Sequence, residues 1–198
     1  MLMKLLSDED KKHLLELAKL LAVSDKPLLW DGKTSNELTS GTNIDALSIQ
    51  EGEQERELIA DLEISAGVKS TGFYGSAMAP SMLSIFSRSD VCRRLIENLK
   101  TYPISQVEKP ESRVEAATSV LRKLLKDRAA KVPTTPKVIL FELLLVALRD
   151  GHISSIEFAL LKEYQIHHQL DEYIFNDLLD RAKVLNQEVS KTIAIILE

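Results

Sequence analysis

The sequence is short of the residues that build small rigid folds. One cysteine, Cys92, stands among 198 residues. That excludes an intramolecular disulfide and any multi-cysteine zinc site. Seven glycines and six prolines are too few for a sandwich or barrel built on many tight turns. No apolar run approaches the roughly 18 to 20 residues of a membrane span. The longest uncharged apolar block, Leu143 to Leu148, fits a buried helix. Met1 to Leu6 runs straight into Ser7-Asp8-Glu9-Asp10-Lys11-Lys12 and lacks the longer apolar region and small-residue cleavage site of a secretory signal. These absences lead us to expect a helical chain in the cytoplasm.

What is present is ordinary in amount and uneven in placement. With 44% hydrophobic and 28% charged residues, the chain can bury a real core. Its net charge of −5 argues against a polyanion binder. That total hides a pattern. Residues 1–66 hold 14 acids and 7 bases, residues 67–132 hold 6 acids and 12 bases, and residues 133–198 hold 10 acids and 6 bases. An acidic, basic, acidic order lets the thirds dock on one another or face separate partners.

Hydrophobic periodicity places helices along most of the chain. Ser7 is a cap, and the acids after it suit a first helical turn. Leu14, Leu15, Leu17, Ala18, Leu20, Leu21 and Ala22 recur at helical spacing to Val23, and Pro27 closes the segment. Residues 26–50 read as loop, with Leu28, Leu29 and Trp30 as its anchor. Residues 51–65 read as an acidic helix and 67–79 as an irregular connection. A helix starts at Ser89-Asp90, with Val91, Leu95, Ile96 and Leu99 inside and Arg93, Arg94 and Lys100 outside. Pro103 and Pro110 bracket a linker, after which residues 111–131 read as a basic helix. Lys137 to Arg149 is apolar nearly all round and reads as the most buried helix, with Pro136 in its first turn. Two further helices span residues 154–168 and 171–186, and the tail from Val189 to Leu197 reads as helix rather than strand. The expected fold is all-α, an orthogonal bundle of about seven or eight helices. A weak internal echo lays residues 14–25 over 139–150: each is a Leu-rich helix with a Glu at the same place and an Asp at its end.

The sharpest motif is Asp150-Gly151-His152-Ile153-Ser154-Ser155-Ile156-Glu157. Its Asp, Gly, Ile, Ser and Glu fit positions 5, 6, 8, 9 and 12 of an EF-hand loop. The residues at positions 1 and 3 are Val146 and Leu148, which carry no oxygen, so a standard EF-hand is excluded. What remains is a helix–turn–helix corner. Gly151 makes the turn, Ile153 plugs the core, Ser154 caps, and Glu157 stands at capping-box spacing from it. Asp150 and Glu157 could also offer oxygens to a hard divalent cation, provided a second acidic corner supplies the rest.

Residues 143–157, together with Leu178-Leu179-Asp180-Arg181-Ala182, resemble the TerB-like tellurite-resistance domains. These are helical proteins with an apolar helix, Asp-Gly-x-Ile-Ser-x-x-Glu and another helix, often in two copies. The resemblance is good over residues 137–186, looser over 8–38, and does not extend over 39–110. It implies a single TerB-like helical domain over 1–198 with a long atypical insertion at about 26–110. It also implies a non-enzymatic scaffold or sensor in bacterial stress resistance, beside membrane-associated partners, with an acidic site for a divalent cation, calcium or zinc. The motif acids carried over are Asp150 and Glu157. In the first copy Asp25 ends the helix but Lys26-Pro27 follows, and Asp31-Gly32 comes six residues later with Glu37 one position short. Asp25, Asp31 and Glu37 are therefore its candidate ligands.

Other constellations are weaker. His13, His152, His167 and His168 show no zinc spacing and read as solvated or capping. Cys92 reads as a structural thiol, because no base can be placed beside it. Gly72-Phe73-Tyr74-Gly75-Ser76 fits no phosphate loop, and Ser76 and Ser81 no nucleophile elbow. Arg93, Arg94, Arg122, Lys123 and Lys126 form a candidate docking surface. Without interleaved aromatics, that surface suits a protein partner or an anionic membrane better than a nucleic acid. A ligand-free adaptor using it is the alternative function, and association of the chain with itself is left open.

Overall fold

The computed structural model describes residues 2–50, 52–67, 90–126, 128 and 132–197. The expected connection at 67–79 lies outside the described residues from 68 onward, with Phe73, Tyr74 and Ser76, and so does Ser81. Eight α-helices occur among those described. They are α1 (Asp8–Ser24), α2 (Glu53–Ser65), α3 (Asp90–Leu99), α4 (Ile104–Val107), α5 (Pro110–Leu125), α6 (Thr135–Ala147), α7 (Ser155–His167) and α8 (Glu172–Leu197). The fold is all-α, as the periodicity predicts.

Helix α1 is the pillar of the bundle. Ser7 accepts the Asp10 amide and so satisfies one free N–H of the first turn. Leu14, Leu15, Leu17, Ala18, Leu20 and Leu21 are all buried, and α1 touches α2, α3, α5, α6 and α7. A helix with neighbours on so many sides needs a broad apolar stripe, which explains its leucine density. Helix α6 packs along it and buries Ile139, Leu140, Leu143, Leu144, Val146 and Ala147. Within that apolar surface lies Glu142, 1% exposed, whose Oε1 accepts the Leu2 amide. The short 3-10 turn at Met3–Leu5 is thereby drawn onto α6.

Some element boundaries differ from expectation, and two segments expected to be irregular hold regular structure: residues 26–50, and the linker between Pro103 and Pro110, which contains α4. Residues 26–50 are not only loop. Leu28–Trp30 and Leu47–Ile49 form an antiparallel pair, with Leu28 opposite Ile49 and Trp30 opposite Leu47. Leu28, Trp30, Leu47 and Ile49 all enter the core, so the anchoring role of Trp30 holds, but through a strand. Helix α5 stops at Leu125 rather than residue 131. Helix α8 does not stop near Asn186; it runs on as a single helix through the whole expected tail. The described parts of the 26–110 segment share one hydrophobic cluster with the rest of the chain, through Leu62, Val91, Leu95, Leu99 and Val107.

The α6–α7 turn depends on a left-handed residue. Gly151 has φ +84°, and a Cβ placed there would meet nothing within 4 Å. Gly151→Ala therefore carries backbone strain alone, about 1–2 kcal/mol. Chemical denaturation should show that loss with an unchanged m-value.

Candidate functional site

Three helix ends meet at the Asp-Gly corner. Helix α6 closes on Leu148, Gly151 reverses the chain, and Ser154, in extended conformation, opens α7. The capping box is complete. The Glu157 amide donates to Ser154 Oγ at 3.2 Å, and the Ser154 amide donates to Glu157 Oε2 at 2.8 Å. The end of α1 arrives beside this turn and brings Asp25 and Lys26. Lys26 Nζ stands 3.5 Å from Asp150 Oδ2 and 3.9 Å from Asp25 Oδ1. The two aspartates that end the echoed helices thus share one ammonium. Their carboxylates lie within the sum of those two distances of each other.

A second cation supports the corner from α5. Arg113 is 6% exposed, and its Nε–H and Nη2–H both donate to Ser24 O, at 2.9 and 2.7 Å. It fills the carbonyl end of α1, where positive charge is favoured. Burial pulls the guanidinium below its ordinary range, and the charges of Asp25 and Glu108 push it back up. Glu157 shows the opposite strain. Burial raises its carboxyl first, and the charge of Asp25 raises it further. The Ser154 amide and hydroxyl and Lys26 work the other way.

Lys26 and Arg113 were not among the sequence candidates, though both left a signal. Lys26 is the one cation next to an α1-terminal aspartate. Arg113 falls four residues before Ala117 on the buried side of α5, a place where an ion must be paired.

The five candidate ligands divide into two groups. Asp25, Asp150 and Glu157 are brought to one corner. Asp31 and Glu37 instead serve local turns in the connection between the two strands. Trp30 and Lys33 exchange backbone hydrogen bonds of 2.7 and 3.0 Å, and Asp31 and Gly32 between them have φ +53° and +77°. Two positive φ values mark a turn of the I′ kind, for which Asp-Gly is favoured. Glu37 accepts the Thr34 amide at 2.9 Å and its hydroxyl at 2.8 Å, completing a second capping box. These bonds hold its carboxyl below the usual range.

The fit of the corner to a divalent cation is poor. Two of its carboxylates already face Lys26, and the third is turned back onto its own helix cap. Among the described residues, no group of three or more His, Cys, Asp or Glu is placed to hold a metal ion. One feature points the other way: Asp25 Oδ1 is buried and makes no hydrogen bond.

The basic candidates are largely engaged. Arg93 and Arg94 both pair with Asp90, whose carboxyl the Arg93 hydrogen bond holds low, and Arg93 also lies 3.7 Å from Glu97. Arg122 binds Glu163 at 2.7 Å. Lys123 and Lys126 are exposed.

The histidines are less solvated than expected. His13 is 3% exposed, with neither ring nitrogen hydrogen-bonded. The His168 ring lies tilted against Tyr164, with centroids 4.4 Å apart, and meets His167 edge-on at 4.9 Å. Burial, then the neighbouring charges of His167 and His13, push the His168 imidazole down to about 4. His152 is an exposed turn residue, as expected, and Cys92 is buried in α3.

Compared with protein-family models, with curated proteins and with solved structures, the chain matches none of them. The likeness to TerB-like domains rests on the motif residues.

Two predictions concern titration. The Glu157 carboxyl is raised in the fold above its ordinary 4.5, so its charge opposes folding above that pH, and stability recovers as pH falls through the folded value. Glu157→Gln keeps the capping box and removes the charge. It should be at least as stable as the parent at pH 7, with an advantage that shrinks toward pH 4.5; urea titrations across that range check this. His168 behaves oppositely. It stays neutral in the fold down to about 4, whereas the unfolded chain takes a proton near 6.5. Its contribution is intact above 6.5 and fades from there to about 4. His168→Phe should flatten that limb of the stability–pH curve.

Proposed function

We propose that the chain is a non-enzymatic helical scaffold of the TerB-like kind, serving a cytoplasmic stress response in a bacterium and acting through protein partners. The observation that supports this reading is the convergence of Asp25 and Asp150 on Lys26. The two ends of the echoed helices are joined there as the two copies of a TerB-like motif would be. In this chain the joint is closed by an internal ammonium. The corner fixes the angle between α1 and the α6–α7 pair, and the rigid bundle so formed presents its outer helices to partners.

A cation-binding version of the same corner is the second reading, favoured by the buried oxygen of Asp25 that accepts no hydrogen bond. Carboxylate oxygens of this kind suit calcium, or zinc in a smaller set. Calorimetric titration of the full chain with calcium and with zinc decides between the two. The expected result is no saturable heat at millimolar cation, for the parent and for Asp150→Ala and Glu157→Ala alike. Saturable binding by the parent that either substitution abolishes overturns the closed-corner reading in favour of a cation site. Lys26→Met should lower stability measurably, since it leaves Asp25 and Asp150 facing each other without the ammonium.

A further inference from the structure

Helix α8 leaves the bundle before it ends. Phe175 and Ala182 are fully buried and Leu178 packs against the core. Asn186 donates to Leu148 O at 2.9 Å. From Gln187 to Leu197 every residue is exposed. The apolar line does not stop with the contacts. It continues through Leu185, Val189, Thr192 and Ile196, keeping the alternation of three and four that began at Phe175. Leu185 is 44%, Val189 49% and Ile196 74% exposed. Beside them Ile193, Ile195 and Leu197 widen the strip. Alternation of three and four is the seam of one helix laid against another. The first half of that seam is filled by the chain's own bundle, and the second half is open.

We propose that a second copy of this chain covers it, the two α8 ends pairing antiparallel about a two-fold axis near Val189 and Ser190. The polar residues support this occupant. Glu188 and Lys191 lie on one edge of the helix, 2.7 Å apart, and are the only charged residues between Val184 and Leu197. Turning the helix end over end sets Glu188 of each copy against Lys191 of the other, so the surface is complementary to itself. The antiparallel arrangement also puts the two bundles at opposite ends of the paired segment. A membrane-surface helix would instead carry a basic polar face. Here the polar residues outside the seam are Gln187 and Ser190, with one acid and one base, Glu188 and Lys191.

The inference is independent of the Asp-Gly corner. Its test is sedimentation equilibrium on the full chain, with circular dichroism to confirm that each variant is folded. The expected result is a monomer–dimer equilibrium at micromolar concentration. Val189→Glu should abolish it without unfolding the bundle, since the side chain is exposed. Glu188→Lys and Lys191→Glu alone each set like charges opposite and should weaken association by about tenfold, while the double exchange restores it. A monomer at every concentration overturns the proposal, and so does a dimer indifferent to Val189→Glu. A dimer weakened by the single exchanges and not restored by the double overturns the antiparallel register. Flotation with phosphatidylserine vesicles supplies the remaining outcome: lipid binding by a monomeric chain, lost in Val189→Glu, assigns the strip to a membrane surface and overturns self-association.

Discussion

Helix ends concentrate unsatisfied backbone groups, and this fold brings three of them to one place. The settlement at that place is electrostatic. Arg113 takes the carbonyl end of α1, Ser154 and Glu157 take the amide end of α7, and Lys26 stands between the aspartates that close α1 and α6. Half-buried charges are costly unless paired, and breaking such a pair costs more than forming it gains. The relative placement of α1, α5, α6 and α7 therefore depends on keeping this set together. The leucine core supplies cohesion, but a core of Leu, Ile, Val and Ala does not by itself choose one packing over a slightly rotated one. The corner does.

Much of this was legible in the residues. The capping signal at Ser7, the apolar run of α6 and the Asp-Gly-x-Ile-Ser-x-x-Glu turn each carry a local mechanism, and each folds as its mechanism dictates. The echo between residues 14–25 and 139–150 proved informative at its last position above all, where Asp25 and Asp150 meet across the bundle. What escaped was short or contextual. Strands of three residues are too brief for periodicity to register, and the Asp31-Gly32 turn does not itself join them, since residues 31–46 separate the two strands. The expected end near Asn186 is not an end. In the fold, Asn186 binds Leu148 O and leaves α8 free to continue.

The site followed the same division. Glu157 and Asp150 were found from a motif, because spacing within one turn is written in the sequence. The arrival of Asp25 and Lys26 from a helix more than a hundred residues away is not, and neither is the turning of Arg113 inward. Asp31 and Glu37 were misplaced for a related reason. Acidic residues near a glycine suit a cation loop and a tight turn equally well, and only the backbone dihedrals separate the two uses.

The position of Lys26 in the chain has its own consequence. A counter-ion attached one residue from the carboxylate it neutralises is never diluted: its effective concentration is set by a single peptide unit and does not vary with the medium. A free divalent ion has to displace a charge that is always present, and gains less from binding by the amount that charge already supplies. The charge that bridges the ends of α1 and α6 is therefore carried by the chain itself and is in place from synthesis onward.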